Sequence, residues 1–160
     1  MNILQEDSIK LIRSLYEKKV CYILVGGIAV IYYGYGRTTG DMDIWLEDNP
    51  ENRKAFIEAI RDYGIDGVDA YLTLPLIAGY SEIMLDSGMY LDIMANLKKY
   101  TQADFQECYS KCNDWQPEPG IHVKVLQINQ LIQEKEFTTR HKDKEDAEQL
   151  RKIRDQGLEQ

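Results

Sequence analysis

The sequence predicts a mixed α/β (α+β) domain, with a small mixed β-sheet flanked by helices and further helices at the C-terminal end. Short apolar runs alternate with segments of helical periodicity in the first half, a hairpin signal lies in the middle, and the end of the chain is helical in pattern. The 160 residues, 44% of them hydrophobic, suffice for one domain. We expect its core at about 20–100 and a C-terminal strand and helices at about 120–156.

The first half of the chain alternates between helical and strand patterns. Apolar residues at helical spacing predict an amphipathic first helix, and the apolar run CYILV predicts a buried strand. The segment DMDIWL is typical of a second strand, and a proline in the first turn indicates where the third helix begins. The predicted order is helix, strand, helix, strand, helix, at residues 6–18, 21–25, 28–34, 41–46 and 50–61.

The second half begins with residues 64–80, which have no clear periodicity. The turn sequence DSG between two apolar runs predicts a β-hairpin. Thr101 with Asp104 is typical of a capping box and predicts a helix that ends near Cys112. Residues 113–120, with two prolines, predict a loop. A last strand, IHVKVL, precedes a helical remainder that we expect to break near residues 138–139.

Two aspartates begin the predicted strand DMDIWL. Because side chains alternate faces along a strand, Asp41 and Asp43 lie on the same side. Two carboxylates that close raise each other's pKa unless a positive charge lies between them, and a divalent cation meets that need. The alternative is an acidic strand edge that faces water, and the pair alone favours neither interpretation.

A glycine pair and a third aspartate in neighbouring predicted elements bear on the interpretation of Asp41 and Asp43. Gly26 and Gly27 join a strand to a helix, where glycines allow a phosphate to approach closely and the helix N-terminus favours anions; alternatively they form a tight turn. Asp92 lies among apolar residues of another predicted strand, either at the same site or as an exposed hairpin residue. Three carboxylates with an anion-binding turn suit metal-assisted phosphoryl or nucleotidyl transfer, in which two Mg²⁺ ions bridge triphosphate oxygens and activate a hydroxyl.

The net charge of −8 is distributed unevenly. Residues 124–160 contain eight basic and eight acidic residues, so the first 123 carry the whole excess with 11 basic and 19 acidic residues. This distribution argues against binding of long duplex nucleic acid. No apolar run is long enough to span a membrane, and the acidic, amphipathic N-terminus is not typical of a secretory signal, so we expect no membrane partner and a cytoplasmic location.

The three cysteines indicate reduced thiols, since an odd number without a signal peptide does not predict a disulfide framework. Cys108 and Cys112 are spaced i, i+4, with His122 ten residues further on. They are either part of a zinc site that lacks an evident fourth ligand, or residues packed on a helix.

The segment VGGIAVIYYGYGRTTGDMDIW resembles the core motif of the nucleotidyltransferase superfamily of polymerase β. It is most similar to the minimal bacterial branch, which includes toxin–antitoxin and abortive-infection nucleotidyltransferases. The resemblance extends from about Tyr22 to Leu150 and includes a C-terminal pattern matched by Lys135, Arg140, Lys142, Asp143 and Asp146. The chain departs from the pattern at Tyr33, where many relatives have His, and we expect little room in it for a separate acceptor-binding domain.

The resemblance implies a nucleotidyltransferase fold that transfers a nucleoside monophosphate from an NTP such as ATP to a hydroxyl. The implied acceptor is an RNA 3′ end, a protein side chain or a small molecule. Two Mg²⁺ (or Mn²⁺) ions are implied, with Asp41, Asp43 and Asp92 as the metal-binding and catalytic carboxylates. The implied nucleotide-binding residues are Gly26, Gly27, Arg37, Thr38, Thr39, Lys135, Arg140 and Lys142.

Other interpretations of these residues stay open. Arg37 either clamps phosphate or forms a structural ion pair with an aspartate, and Thr38 and Thr39 either contact phosphate or cap a turn. The C-terminal basic residues either reach the triphosphate or form a solvated helix face. Asp143 and Asp146 lie on a helix face that packs inward, where each needs a partner. The whole chain is alternatively a non-catalytic, antitoxin-like interaction protein with a toxin–antitoxin partner, or a protein with a structural cation site.

Overall fold

A computed structural model describes residues 4–158 of the chain. The first half contains α1 (Glu6–Glu17), β1 (Tyr22–Val25), α2 (Gly26–Tyr32), β2 (Asp41–Leu46) and α3 (Pro50–Tyr63). The second half contains β3 (Glu82–Met84), β4 (Tyr90–Met94), α4 (Phe105–Lys111), β5 (Asn113–Glu118), β6 (Ile121–Val125), α5 (Ile128–Glu136) and α6 (His141–Leu158). Short 3₁₀ turns at Asp69–Leu72 and Gln102–Asp104 lie between these elements.

The six strands form one mixed sheet in the order β3-β4-β2-β1-β6-β5. The central strands β1 and β2 are antiparallel, and each has a parallel neighbour on its other side, β6 next to β1 and β4 next to β2. The antiparallel hairpins β3/β4 and β5/β6 close the two edges. This mixed sheet with its flanking helices confirms the predicted mixed α/β, α+β class.

Most predicted elements are present close to their expected bounds. The hairpin around residues 86–88 is confirmed, and the C-terminal helices break between Glu136 and His141, as predicted. Helix α2 begins at Gly26, two residues earlier than predicted. The backbone N–H of Thr101 donates a hydrogen bond to Asp104 Oδ2 at 2.9 Å, so the capping box is also present.

The predicted loop at residues 113–120 was wrong, because β5 runs from Asn113 to Glu118. This strand is at the edge of the sheet and, within residues 4–158, pairs only with β6, with an irregularity in register between Trp115 and Glu118. Proline has no backbone N–H to donate to a neighbouring strand. An edge strand tolerates Pro117 because one side of it has no neighbouring strand. The sequence pattern of a central strand is therefore not required there.

A single cluster of buried apolar side chains extends from Leu4 to Leu150, so the C-terminal helices pack on the same core as the sheet. Trp45 of β2 is fully buried, and its indole Nε1 donates a hydrogen bond to the carbonyl of Ala95 at 2.7 Å. Among residues 4–158, no helix combines the length and apolar character needed to cross a membrane.

Candidate functional site

Strand register brings the predicted carboxylates to one face of the sheet. Asp43 of β2 pairs with Val25 of β1 on one side and with Asp92 of β4 on the other. Paired residues on adjacent strands lie about 5 Å apart and point to the same face. Asp41 is two residues earlier on β2, so it shares that face, and it is exposed at the start of the strand. Three carboxylates therefore occupy neighbouring positions on β2 and β4.

The Gly26-Gly27 turn lies against these carboxylates, and at each of the two positions a larger residue would clash with a different neighbour. Gly26 has a φ of +68°, and a Cβ built on it would lie 1.9 Å from Asp43 Oδ2. A Cβ on Gly27 would lie 2.8 Å from Thr39 Oγ1 and 3.0 Å from the Arg37 Nη2 atom. The turn therefore makes room for the Asp43 carboxylate and for two side chains of the loop that precedes β2.

Asp43 is electrostatically strained. Burial raises the pKa of its carboxyl from 3.8 to about 7, and the charges of Asp92 and Asp41 contribute in the same direction. Lys135 and Arg37 act against this shift but do not cancel it. A group with a pKa near neutrality carries a proton for much of the time when no cation is bound.

Asp92 is held by the backbone of the segment before β3. Both of its carboxylate oxygens accept the N–H of Gly79, each at 3.1 Å. Burial raises the pKa of Asp92, this hydrogen bond lowers it, and the negative charges of Glu82 and Asp41 raise it further. The net result is a pKa above the ordinary value, so two of the three carboxylates resist ionisation.

Four charged side chains tie the C-terminal helices to the loop before β2. Asp146, 1% exposed, accepts a hydrogen bond from Arg37 Nη2 and forms an ion pair with Lys135 Nζ, both at 3.0 Å. Asp143 accepts from Lys135 Nζ at 3.1 Å and from Thr138 Oγ1 at 2.7 Å. Although burial acts to raise the pKa of Asp143, the Thr138 hydrogen bond and the charge of Lys135 hold it below its usual range. This cluster supplies the partners that the inward-facing aspartates need.

A cleft of about 520 Å³ separates the strand carboxylates from these helices. Asp43, Asp92 and Gly26 line one side, while Lys135 and Arg140 line the other. Apolar side chains complete the lining, among them Met94, Leu97, Leu131 and Phe137. The cleft therefore offers carboxylates, cations and apolar surface within a volume that suits a small organic ligand.

Six other predicted site residues do not line this cleft. Gly27 lies behind Gly26, where it contacts the side chains of Thr39 and Arg37. Asp41, Arg37, Thr38 and Thr39 lie beside it, at the start of β2 and in the preceding loop. Arg37 Nη1 donates to the Thr38 carbonyl, and Thr39 Oγ1 is 3.3 Å from both the N and the O of Asp41, which is typical of a residue that caps a turn. Lys142 is exposed on α6.

The three carboxylates are suitable ligands for a divalent ion, but their side chains are not positioned to bind one together. Carboxylate oxygens are the ligands that Mg²⁺ and Mn²⁺ prefer, and three crowded negative charges favour a cation. Within residues 4–158, however, no three His, Cys, Asp or Glu side chains are close enough together to hold a metal ion. The residues therefore fit a metal by donor type and charge, and gathering them around one ion requires their side chains to rearrange.

The zinc interpretation of the cysteines finds no support in their contacts. Cys112 Sγ donates to the carbonyl of Cys108 at 3.2 Å, and His122 Nδ1 pairs with Asp114 at 2.6 Å. Burial is the main cause that raises the pKa of each thiol, to about 11 for Cys108 and about 12 for Cys112. These residues are packed rather than poised to bind a metal.

The tyrosines near the site serve packing and hydrogen bonding. Tyr33, which stands where many members of the resembled family have His, donates its hydroxyl to the carbonyl of Leu126 at 2.6 Å. Tyr32 packs against Tyr33 and against Trp115, with ring centroids 4.9 Å and 5.3 Å apart. Tyr33 thus joins α2 to the end of β6.

Sequence reasoning missed the role of Asp146 as a shared partner and the contact between Gly79 and Asp92. The inward-facing position of Asp146 was a signal that it needed a cation, but it did not identify which one. Gly79 acts through its backbone N–H, which leaves no mark in a sequence pattern. No protein-family model matches the chain, and no curated protein matches it significantly.

Proposed function

We propose that the protein is a nucleotidyltransferase with the nucleotidyltransferase fold, which uses a divalent metal to transfer a nucleoside monophosphate from an NTP to a hydroxyl. One observation carries the proposal. Asp43 and Asp92 face each other on adjacent parallel strands, and Gly26 packs directly against the Asp43 carboxylate. A glycine turn in contact with the Asp-x-Asp strand, with a third carboxylate beside it, is the arrangement that the sequence resemblance implies.

In this proposal Asp41, Asp43 and Asp92 would hold two Mg²⁺ (or Mn²⁺) ions, which would supply neutralisation of triphosphate charge and activation of the acceptor hydroxyl. The acceptor oxygen forms a bond to the α-phosphorus, the bond between the α-phosphorus and the bridging oxygen breaks, and pyrophosphate leaves. Asp92 receives the hydroxyl proton. The Gly79 N–H holds the Asp92 carboxylate, and the pairing of β2 with β4 places it beside Asp43.

The phosphate contacts are divided unequally among the predicted basic residues. Arg140 lines the cleft and its Nε lies 3.8 Å from Asp143 Oδ2, but its side chain is 73% exposed, so most of its guanidinium is open to an anion. Lys135 also lines the cleft, but its ammonium already binds Asp143 and Asp146. We therefore assign the principal triphosphate contact to Arg140, and a positioning role to Arg37 and Lys135.

The second candidate is a non-catalytic, antitoxin-like interaction protein that retains the fold. It is favoured by the Gly79 hydrogen bonds, which occupy both oxygens of Asp92, and by the separation of the three carboxylates within the described residues. A structural cation site without chemistry is the third candidate. It predicts metal binding without nucleotide binding.

The decisive experiment is incubation of the protein with each α-labelled NTP, Mg²⁺ and a panel of tRNA, protein and small hydroxyl acceptors. Label transfer with release of pyrophosphate, lost in Asp43→Asn, is the expected result. NTP binding without transfer to any acceptor would favour the interaction protein, and metal binding without NTP binding would favour the structural cation site.

A matched pair of variants tests the phosphate assignment. Arg140→Glu places a negative charge in the cleft, whereas Lys142→Glu makes the same change at an exposed position outside it. Calorimetric affinity for the NTP with Mg²⁺ should fall about tenfold or more in the first variant and change little in the second, since a contact to a charged group is worth about 1.5–3 kcal/mol. Equal losses would indicate general electrostatics and remove Arg140 from the site.

A further inference from the structure

Exposed apolar side chains are concentrated in one segment of the chain. Eight large apolar residues are exposed within residues 4–158, and six of them lie between positions 72 and 90: Leu72, Leu74, Ile77, Tyr80, Met84 and Tyr90. This segment leads into the edge strand β3 and its partner β4. Scattered exposed apolar residues need no explanation, but a concentration of them marks an interaction site.

Strand register places part of this group on the same face as the site carboxylates. Met84 pairs with Tyr90, and Tyr90 pairs with Asp41, so these three residues form one row across β3, β4 and β2. Two residues away, Glu82, Asp92 and Asp43 form the next row. Met84 is 57% exposed, whereas its neighbours Ile83 and Leu85 are buried, so the outer face is open and the other face is packed.

Tyr80 extends the same surface. It is 86% exposed and directly follows Gly79, whose N–H binds the Asp92 carboxylate. We call the surface formed by Tyr80, Glu82, Met84, Tyr90 and Asp41 the outer edge face.

The outer edge face is acidic. Glu82 and Asp41 belong to it and are exposed, and Asp92 and Asp43 lie in the neighbouring row on the same face of the sheet. Such a surface repels a polyanion, and two copies of it repel each other, which argues against an RNA and against a second copy of this chain as its occupant.

We propose that the outer edge face is the docking surface for a partner polypeptide that carries Lys or Arg between apolar residues. The apolar side chains of the partner cover Tyr80, Met84 and Tyr90, and its cations pair with Glu82 and Asp41. Tyrosine rings beside carboxylates also suit cations, which bind to the faces of aromatic rings. The proposal depends on exposure and charge, and apart from Asp41, which the proposed function assigns to a metal ion, the outer edge face takes no part in nucleotide transfer.

The test uses two fluorescein-labelled peptides, one of alternating Lys and Leu and one of alternating Glu and Leu, with the full chain. Fluorescence anisotropy at physiological salt should show binding of the Lys-Leu peptide only, and amide chemical shifts should change within residues 72–92. Equal binding of the Glu-Leu peptide, or shifts confined to other parts of the chain, would overturn the proposal.

Variants in the outer edge face and matched variants outside it distinguish specific binding at this surface from non-specific binding of the peptide. The double variant Tyr80→Ser/Met84→Ser should weaken binding of the Lys-Leu peptide about tenfold or more, as expected when central apolar anchors are lost. Tyr16→Ser is the matched control, because Tyr16 is another exposed tyrosine, on α1. Glu82→Lys should also weaken binding, while Glu148→Lys on the exposed side of α6 should not. Equal effects of test and control variants would refute the assignment.

Self-association provides a further outcome. Light scattering should show a mass that does not rise with protein concentration, since the outer edge faces repel each other. A concentration-dependent dimer that the Tyr80→Ser/Met84→Ser variant abolishes would make a second copy the occupant and overturn the proposal. Unchanged melting temperatures would verify that the variants fold, as expected for side chains so exposed.

Discussion

Replacing Asp43 with Asn should change how the stability of the metal-free protein depends on pH. Burial, and then the charges of Asp92 and Asp41, raise the pKa of the Asp43 carboxyl to about 7 in the folded protein. In the unfolded chain the same group has its ordinary pKa of 3.8. The folded state therefore binds the proton more tightly than the unfolded state does, and ionisation of Asp43 opposes folding.

The size of the effect follows from the difference between the two pKa values. Below about pH 4 the carboxyl is neutral in both states, and its contribution to stability is fully present. As the pH rises through the folded-state pKa of about 7, this contribution is lost. A difference of about three pKa units corresponds to at most about 4 kcal/mol of unfolding free energy. Asn at this position carries no charge, so the variant should be more stable than wild type at about pH 8 by up to this amount.

Urea unfolding followed by circular dichroism, between about pH 4 and pH 8 with EDTA present, measures this difference. The gap in unfolding free energy between Asp43→Asn and wild type should widen as the pH rises. Asp66→Asn is the control, because Asp66 is exposed in the segment after α3, and its gap should stay constant. A constant or narrowing gap for Asp43→Asn would refute the conclusion that this carboxylate is strained.

Three more changes should have measurable effects. Mg²⁺ or Mn²⁺ should raise the melting temperature of the wild type through binding to the native state, and the double variant Asp41→Asn/Asp43→Asn should lose this response; an equal rise would assign it to other sites. Gly26→Ala should lower the melting temperature and the metal response, since its Cβ would meet the Asp43 carboxylate, whereas Gly36→Ala, with open space around it, should change neither. Asp146→Asn should cost about 3 kcal/mol in urea unfolding, because two cations that are only 13% and 12% exposed lose their fully buried shared partner; a loss under about 1 kcal/mol would contradict this role.

Local patterns predicted the parts of the site that depend on one strand. The positions of Asp41 and Asp43 on one face follow from the two-residue period of a strand, and this period needs no knowledge of the rest of the fold. The pairing of Asp43 with Asp92 did not follow in the same way. It depends on the order of strands in the sheet and on the register of β2 with β4, which are set by contacts between distant parts of the chain.

Other features were missed because their causes are not local. Residues 113–118 carry no strand pattern, and they form β5 because a strand at the edge of a sheet needs hydrogen bonds to a neighbour on one side only. Residues 64–80 predicted no element, yet this segment delivers the Gly79 N–H to Asp92. A backbone donor in an irregular segment is positioned by the packing around it, so no side-chain pattern indicates it.

The charge balance of the two neighbouring clusters explains why Asp43 stays strained although cations lie near it. Arg37 and Lys135 contribute two positive charges, and Asp143 and Asp146, with which they are paired, contribute two negative ones. Arg140 also lies 3.8 Å from Asp143, but its side chain is 73% exposed, so water screens its charge. The four less exposed charges cancel and relieve Asp43 only weakly, and the three strand carboxylates keep an uncompensated negative charge. The ion pairs therefore hold α5 and α6 against the loop before β2 without neutralising the strand carboxylates. The missing positive charge must come from protons, from bound metal ions or from the cationic side chains of a partner, which is why the stability of this site should respond to all three.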